Sequence, residues 1–440
     1  MIFQIKRILK VTILKDDYSQ FITGNQLLKN FLTNFSEVLI YKIIASLFLT
    51  IITIIAARTI TPSEFGQIGI INNLSYLFFV PMLLGVHSSM YKYLPISGET
   101  ERNELIFYSA LGSFFSISLL VILFLSVFPF FVRQLNISNY LWKTGMIMTV
   151  FVSFSALSES YLRGQKLFSD IGKFRLITTI VNLLLIVLFY LGFHKKSLKY
   201  YFLSLAISQI LFSVLVIIRI RVKILTKINW AIIKKIYQYG ITSSISMFLG
   251  GLLFVSDMFF VNYFCIPEQV GVYNAYQGFI KNIFSVLFYE VFLVVFVPLI
   301  AQSNNNQLVK RKIRVYSPLI LFVIITGSSL AIIFFIKLFG HNYQLNYLYV
   351  ALSSISIALY TIYQINLSIY NMEGNKSALM TGFTILLILP VSLSLQLIAT
   401  KYWNLAGALV SVAVTNLLLI FSMGICFRYL FSRSKKTISD

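Results

Sequence analysis

Apolar runs of about 20 residues, divided by short polar breaks, fill the chain from residue 36 to residue 429. They predict helices over 36–57, 66–91, 105–132, 141–163, 171–193, 200–219, 238–264, 271–300, 315–337, 346–371, 378–399 and 403–429. A membrane-barrel strand would be about ten residues long with alternating polarity. The run Leu111–Val127 is longer than that and does not alternate. Twelve helices of this length predict an all-α polytopic membrane protein, because in lipid the backbone must satisfy its own polar groups in helices or closed barrels.

Composition strengthens this reading. Of the 440 residues, 58% are hydrophobic and 11% are charged, against about 45–50% and about 25% in an average soluble domain. Even a large soluble fold leaves too much surface in water to hide this much apolar side chain. Twelve spans leave eleven loops and two tails, with no room for a sizeable soluble catalytic domain. Residues 1–28 are basic and mildly amphipathic, and their apolar runs are too short and interrupted for a secretory signal. They predict a cytoplasmic arm on the membrane surface.

The formal net charge is +22, and its placement gives it a meaning. With the N-terminus in the cytoplasm, the inside segments hold 26 Lys and Arg and the outside loops hold 8. Positive residues favour the cytoplasmic side, so both termini are expected there. The excess is then a topology signal and a match to anionic lipid, and nucleic acid is not an expected partner. Cys265 and Cys426 lie near the ends of two different predicted spans, which speaks against a disulfide framework.

Two pairs of turns suggest a duplication. Pro62-Ser-Glu-Phe-Gly66 and Pro267-Glu-Gln-Val-Gly271 stand 205 residues apart, each at a short outside turn. Gly164-Gln-Lys166 and Gly374-Asn-Lys376 stand 210 residues apart, each at an inside turn. Two six-helix halves of the same orientation are expected, related by a pseudo-twofold along the membrane normal. The expected organisation is a leader (1–28), a six-helix lobe (29–219), a basic cytoplasmic linker (220–237), a second six-helix lobe (238–431) and a cytoplasmic tail (432–440).

Polar side chains in a bilayer prefer the bundle interior or a wet cavity. The first span carries Lys42, Ser46, Thr50 and Thr53, and the seventh Ser243, Ser246, Gly250 and Asp257. In the eighth, Tyr273, Gln277, Lys281, Ser285 and Tyr289 form an i+4 ladder. The second offers Asn72, Asn73, Tyr76 and, later, His87; the tenth offers Tyr349, Ser353, Ser356, Tyr360, Tyr363 and Tyr370. The small residues alone would be explained by close helix packing, and Tyr349 and Tyr370 by an interfacial aromatic belt.

Charges within spans are few. Lys281 lies about 15 Å from the outside end of its helix at 1.5 Å per residue, near the midplane. A charge there costs at least a few kcal/mol unless it is wet or paired, roughly 3 kcal/mol on insertion scales. Asp257 either couples an ion or pairs with Lys281. Lys42 either faces the interior or snorkels to the inside surface. Arg58 is a cap or a gate at the outside end of the first span. Glu290 falls half a turn off the ladder, Glu159 with Arg163 reads as an i,i+4 pair, and His87 is a buried histidine or a proton carrier. No Walker-type phosphate loop, metal-spaced cluster or nucleophile triad stands out, so the chain reads as a transporter without cofactors rather than an enzyme.

The residues Ala57-Arg58, Pro62, Phe65-Gly66, Gly85 and Tyr91/Tyr93 resemble the opening of the polysaccharide transporter family, which includes O-antigen flippases. Ser256-Asp257 and Val270-Gly-Val-Tyr-Asn274 are similar to that family's seventh-to-eighth hairpin. The likeness runs over roughly 30–430, mostly as hydropathy and spacing. The family belongs to the multidrug/oligosaccharidyl-lipid/polysaccharide (MOP) exporter superfamily. It implies two lobes in a V, with helices one, two, seven and eight lining a cavity. It also implies transport of a polyprenyl-diphosphate-linked oligosaccharide (an O-antigen, capsule or exopolysaccharide unit) to the outer leaflet of a bacterial cytoplasmic membrane. On that reading Lys42, Arg58 and Lys281 would meet the diphosphate. Asn72, Asn73, Tyr76, Tyr273, Gln277, Tyr289, Tyr360 and Tyr363 would meet sugar, and Asp257, His87 and Glu290 are candidates for ion coupling. Membrane lipids, a glycan polymerase and other polysaccharide-assembly proteins are the further partners implied. The alternatives are a MATE-like drug or small-molecule antiporter and a membrane-embedded glycan polymerase.

Overall fold

The computed structural model describes residues 26–126, 136–221, 229–284, 306–371 and 375–436, with side chains over 40–126, 136–221, 229–284, 317–367 and 380–426. The helices, in chain order, are α1 (Gln26–Thr59), α2 (Pro62–Met82), α3 (Val86–Tyr93), α4 (Glu99–Ser126), α5 (Asn139–Gly164), α6 (Phe168–Val187) and α7 (Leu198–Ile220). They continue as α8 (Trp230–Phe264), α9 (Pro267–Tyr273), α10 (Ile280–Phe284), α11 (Asn306–Phe339), α12 (Tyr347–Asn371) and α13 (Asn375–Lys436). A π-helical turn, Leu188–Gly192, extends α6, and another, Asn274–Phe279, joins α9 to α10.

Among the described residues, nine helices are long and apolar enough to cross a membrane, or ten if the bent pair α2–α3 is one span. The all-α, multi-span expectation is borne out, with two differences in detail. The second span is not one helix: α2 and α3 meet at a bend of 64°. Pro81 interrupts the hydrogen-bond ladder, and Leu84 and Gly85 then take left-handed φ of 48° and 66°. The eighth span is described only to Phe284. The predicted eleventh and twelfth spans run on as α13, turning at Asn404, whose φ of 49° and ψ of −131° are not helical.

Local chemistry sets several of these ends. Thr61 caps α2 by accepting from the Glu64 amide at 3.2 Å, while Glu64 accepts from the Thr61 amide at 3.2 Å; Pro62 occupies the first helical position. Ser138 caps α5 through the Leu141 amide at 3.3 Å.

α1 packs on α6, α2 on α5, and α7 on both α5 and α6. α12 packs on α11 and α13, and α8 packs on α13. Between these groups runs an antiparallel seam of α2, α3 and α4 against α8. Its contacts pass in order from Gly69 on Met258, through Leu77 on Gly251 and Phe78 on Phe248, to Gly85 on Gly240. Beyond the bend, the Ser89 hydroxyl donates to the Ile236 carbonyl at 2.6 Å, Lys235 pairs with Glu101 at 2.8 Å and Asn229 donates to Glu104 at 3.0 Å.

At the other end the two Pro-x-x-x-Gly segments meet. A Cβ on Gly66 would sit 2.7 Å from the Gly271 amide nitrogen, and one on Gly271 would sit 1.8 Å from the Pro62 carbonyl oxygen. Asn274 adds a hydrogen bond to the Phe65 carbonyl at 3.0 Å. This end of the bundle is termed the proline end below. Gly164, of the second turn pair, packs on Leu94 and Met90, whereas Gly374 lies outside the described residues, as do residues 1–25 of the leader.

The Gly271→Ala variant is expected to lose roughly 1–3 kcal/mol of stability, because backbone must move to admit the methyl. Gly327→Ala, where nothing lies within 4 Å of the added carbon, is the matched control. The thermal unfolding midpoints of the two purified proteins check this, and equal midpoints would show that the close approach is dispensable.

Candidate functional site

The i+4 ladder expected along the eighth span does not survive as one straight face. The π-helical segment Asn274–Phe279 falls inside it, and each π turn takes more residues than an α turn. Tyr273, Gln277 and Lys281 are therefore handed to different partners. Tyr273 is held against α8, Gln277 against α12 and Lys281 against both.

Tyr273 donates its hydroxyl to Asp257 Oδ2 at 2.6 Å, while Oδ1 accepts from the Met258 amide at 2.8 Å. Asp257 is 6% exposed, and both carboxylate oxygens are engaged. Gln277, fully buried, donates to Ser356 Oγ at 2.9 Å, and its own carbonyl oxygen has no partner among the described residues. Lys281 donates from Nζ to the Phe254 carbonyl at 3.2 Å and lies over the rings of Tyr360, at 4.8 Å, and Phe254, at 5.6 Å. Tyr360 and Tyr363 both pack on Phe254, at 5.3 and 5.6 Å between ring centres. Lys281 thus forms no ion pair among the described residues, and the expected alternative of direct pairing with Asp257 is not what the structure shows. It is met by a carbonyl and by aromatic faces, the groups that hold a cation without neutralising it.

A polar layer backs this cluster. Ser256 donates to Gln396 at 2.6 Å, Gln396 donates to Ser392 at 3.1 Å, and Ser392 and Thr415 share a hydrogen bond of 2.8 Å. Asn416 donates to the Ser356 carbonyl at 3.3 Å. Ser256 and Ser356 are among the polar positions picked out from the sequence, whereas Ser392, Gln396, Thr415 and Asn416 are not. These bonds tie α8, α12 and α13 together behind the site, while the Asn416 side-chain oxygen has no partner among the described residues.

The remaining candidates are distributed more widely. Asn72 and Asn73 are half-buried on α2 and form no side-chain hydrogen bond among the described residues. Tyr76 is 59% exposed, edge-on to Phe79. The seam pairs Gly69 with Met258 and Leu77 with Gly251, so these three stand level with Phe254 of α8. Lys42 is half-buried on α1, next to Tyr41, which packs on Gly172 of α6. Along the same helix, Thr50 and Thr53 donate to the Ser46 and Leu49 carbonyls at 2.8 and 2.9 Å. Arg58 is at the proline end and donates to the Leu338 carbonyl at 2.5 Å. His87 is 3% exposed in α3, between the rings of Phe79 and Tyr91, with neither ring nitrogen bonded among the described residues. Tyr289 and Glu290 lie outside the described residues.

Glu159 and Arg163 do form the expected i,i+4 ion pair. Arg175 joins them, pairing with Glu159 at 2.6 Å, donating to Gln209 at 3.2 Å and stacking 4.0 Å over Phe212. Both cysteines are free. Among the described residues no group of three or more His, Cys, Asp and Glu is placed to hold a metal.

A multidrug resistance MATE family transporter of the MOP superfamily, in an inward-facing conformation, superposes with a TM-score of 0.67 at 15% identity over 89% of this chain and 96% of that chain. The lipid II flippase MurJ, inward closed, superposes with 0.64 at 15% identity over 88% and 87%. An outward-facing MATE family transporter gives 0.62 at 16% identity over 92% and 96%. These likenesses establish the fold, and the expected MOP-type architecture is borne out. No curated protein matches the chain by sequence. The model of a family described as polysaccharide biosynthesis protein matches residues 55–343. With well over half its length matched, this multi-pass membrane chain belongs to the polysaccharide biosynthesis protein family.

Proposed function

We propose that the protein is a flippase that moves a polyprenyl-diphosphate-linked oligosaccharide from the inner to the outer leaflet of a bacterial cytoplasmic membrane. The observation that carries this reading is Lys281. Its ammonium sits in an apolar helix bundle against a carbonyl and two rings, without an ion pair among the described residues. A cation at that depth is expensive unless an anion or water answers it. A diphosphate head group supplies the anion.

The surroundings suit the rest of such a substrate. The aromatic faces of Tyr360 and Tyr76 and the amides of Asn72 and Asn73 offer the stacking and hydrogen-bonding partners that sugars need. The polyprenyl tail stays in lipid while the head crosses. With the proline end outside and both termini in the cytoplasm, as the Lys/Arg bias favours, the head leaves toward Pro62 and Pro267. A negative cell interior aids export of an anion by about 2.3 kcal/mol per charge per 100 mV. The two groups of helices on either side of the α2–α8 seam act as the two lobes, residues 29–219 and 238–431, rocking about it. Cation-drug antiport fits less well, because it calls for an accessible acid, whereas Asp257 is buried with both oxygens hydrogen-bonded.

Lys281→Ala is expected to lower export about tenfold or more, as loss of a charge-assisted contact does, with normal membrane insertion. Lys281→Arg should retain some of it. Surface glycan and cytosolic-leaflet lipid-linked units in a cell relying on the variant are the measurement, and undiminished export by Lys281→Ala would remove the lysine from the mechanism. Asp257→Ala strands the Tyr273 hydroxyl, costing about 1–3 kcal/mol and lowering the unfolding midpoint. Asp257→Asn keeps an acceptor and should keep export. A well-folded Asp257→Asn protein without export would instead assign the carboxylate to ion coupling.

A further inference from the structure

At the proline end a cavity of about 510 Å³ opens between α1 and the turn that follows α11. Arg58, Lys337, His341, Asn342 and Tyr343 are among its lining residues, and no Asp or Glu is. We propose that this cavity is a second anion site, which takes a phosphate- or carboxylate-bearing sugar head group. Its use in product release rests on the export reading above; the binding itself does not.

Three features argue for a ligand. First, the donors are unspent. Arg58 engages only its Nε, with the Leu338 carbonyl, and Lys337, His341 and Asn342 make no side-chain hydrogen bond or ion pair among the described residues. Two positive charges without a counter-charge in the same lining favour an anion, and a guanidinium with free Nη groups can grip two of its oxygens. Second, Tyr343 is 4% exposed and its hydroxyl has no partner among the described residues. A buried donor without an acceptor costs free energy, and an anion oxygen would relieve it. Burial also holds that phenol well above its ordinary pKa, so it stays a donor. Third, the cavity is built rather than incidental. Tyr343 packs on Phe65 and Phe339 with ring centres 6.0 and 5.6 Å apart, and Gly340, at φ 100°, turns the chain to bring it there. The volume is within the range of about 300–1,000 Å³ typical of small-molecule sites.

Phosphate could come from a glycolipid or a membrane phospholipid, and the test separates them. The full chain is placed in nanodiscs of phosphatidylcholine and titrated with inorganic pyrophosphate at low salt. Saturable binding is expected, weakened about tenfold by Lys337→Gln and further by Arg58→Gln/Lys337→Gln, as loss of charge-assisted bonds implies. Lys337→Gln is the safe variant for folding, since Lys337 is exposed. Lys281→Ala should leave a pyrophosphate isotherm of this site in place, which separates the present site from the one at depth. Repeating the titration with phosphatidylglycerol in the disc assigns the source. Competition means that the site also accepts a lipid headgroup, and its absence means that it favours the glycan-borne phosphate. Absence of binding by the unmodified chain, or unchanged affinity in Lys337→Gln and in the double variant, overturns the proposal.

Discussion

Two backbone approaches hold α2 and α3 against the C-terminal helices, one at Gly66 and Gly271 and one at Gly85 and Gly240. A Cβ on Gly85 would fall 1.9 Å from the Gly240 carbonyl oxygen, so each approach excludes any side chain. Between them the seam is pinned in register. That register sets Asn72, Asn73 and Tyr76 level with Phe254, next to the helix that meets Lys281. The 64° bend between α2 and α3 belongs to the same arrangement, since the left-handed Gly85 brings α3 back onto α8. A motion that opens either end of the seam must break the glycine contact there, and the other contact is then the natural pivot.

The charges in the spans are answered in different ways, and the difference organises the chemistry. Glu159 has two arginines, and Asp257 has a phenol and an amide. These carboxylates are satisfied by groups fixed in the fold, as buried charges must be to be tolerated. Lys281 has a carbonyl and aromatic faces, which orient the ammonium without cancelling its charge. Of these three charges, Lys281 is the one whose partners leave it uncancelled, and on the proposed reading that is the charge an anionic head group would meet.

Much of the architecture is legible in the sequence because lipid leaves so few choices. Run length points to the helices, and the two Pro-x-x-x-Gly turns, which read in the sequence only as a repeat, turn out to pack on each other at Gly66 and Gly271. The site is legible only in fragments. The ladder from Tyr273 to Lys281 reads as one face, since spacing carries no sign of a π turn inserted at Asn274. Glu159 reads as half of a local pair, because Arg175 reaches it from another helix and no local pattern encodes that. Gln396 and Asn416 stand near other polar residues, Ser392 and Thr415, but their spacing alone does not show that Gln396 meets Ser256 of α8 or that Asn416 meets Ser356 of α12.

The π turn also joins the two positively charged regions. Tyr276, within it, donates to the Gln344 carbonyl at 3.0 Å and accepts from the Asn346 amide at 2.9 Å. Gln344 and Asn346 belong to the loop that carries His341, Asn342 and Tyr343. The next residue, Gln277, is bonded to Ser356, and Lys281 follows one turn later. The loop at the proline end is thus fastened to the same short helix that presents the buried ammonium, while Arg58 reaches that loop's root at Leu338 from α1. A displacement of α10 that accompanies binding at Lys281 would be carried through Tyr276 to the cavity at the proline end. A displacement of α1 relative to α11 would reach it through Arg58. Coupling between sites requires an element whose position both of them bias, and the Tyr276-anchored loop is placed to be that element.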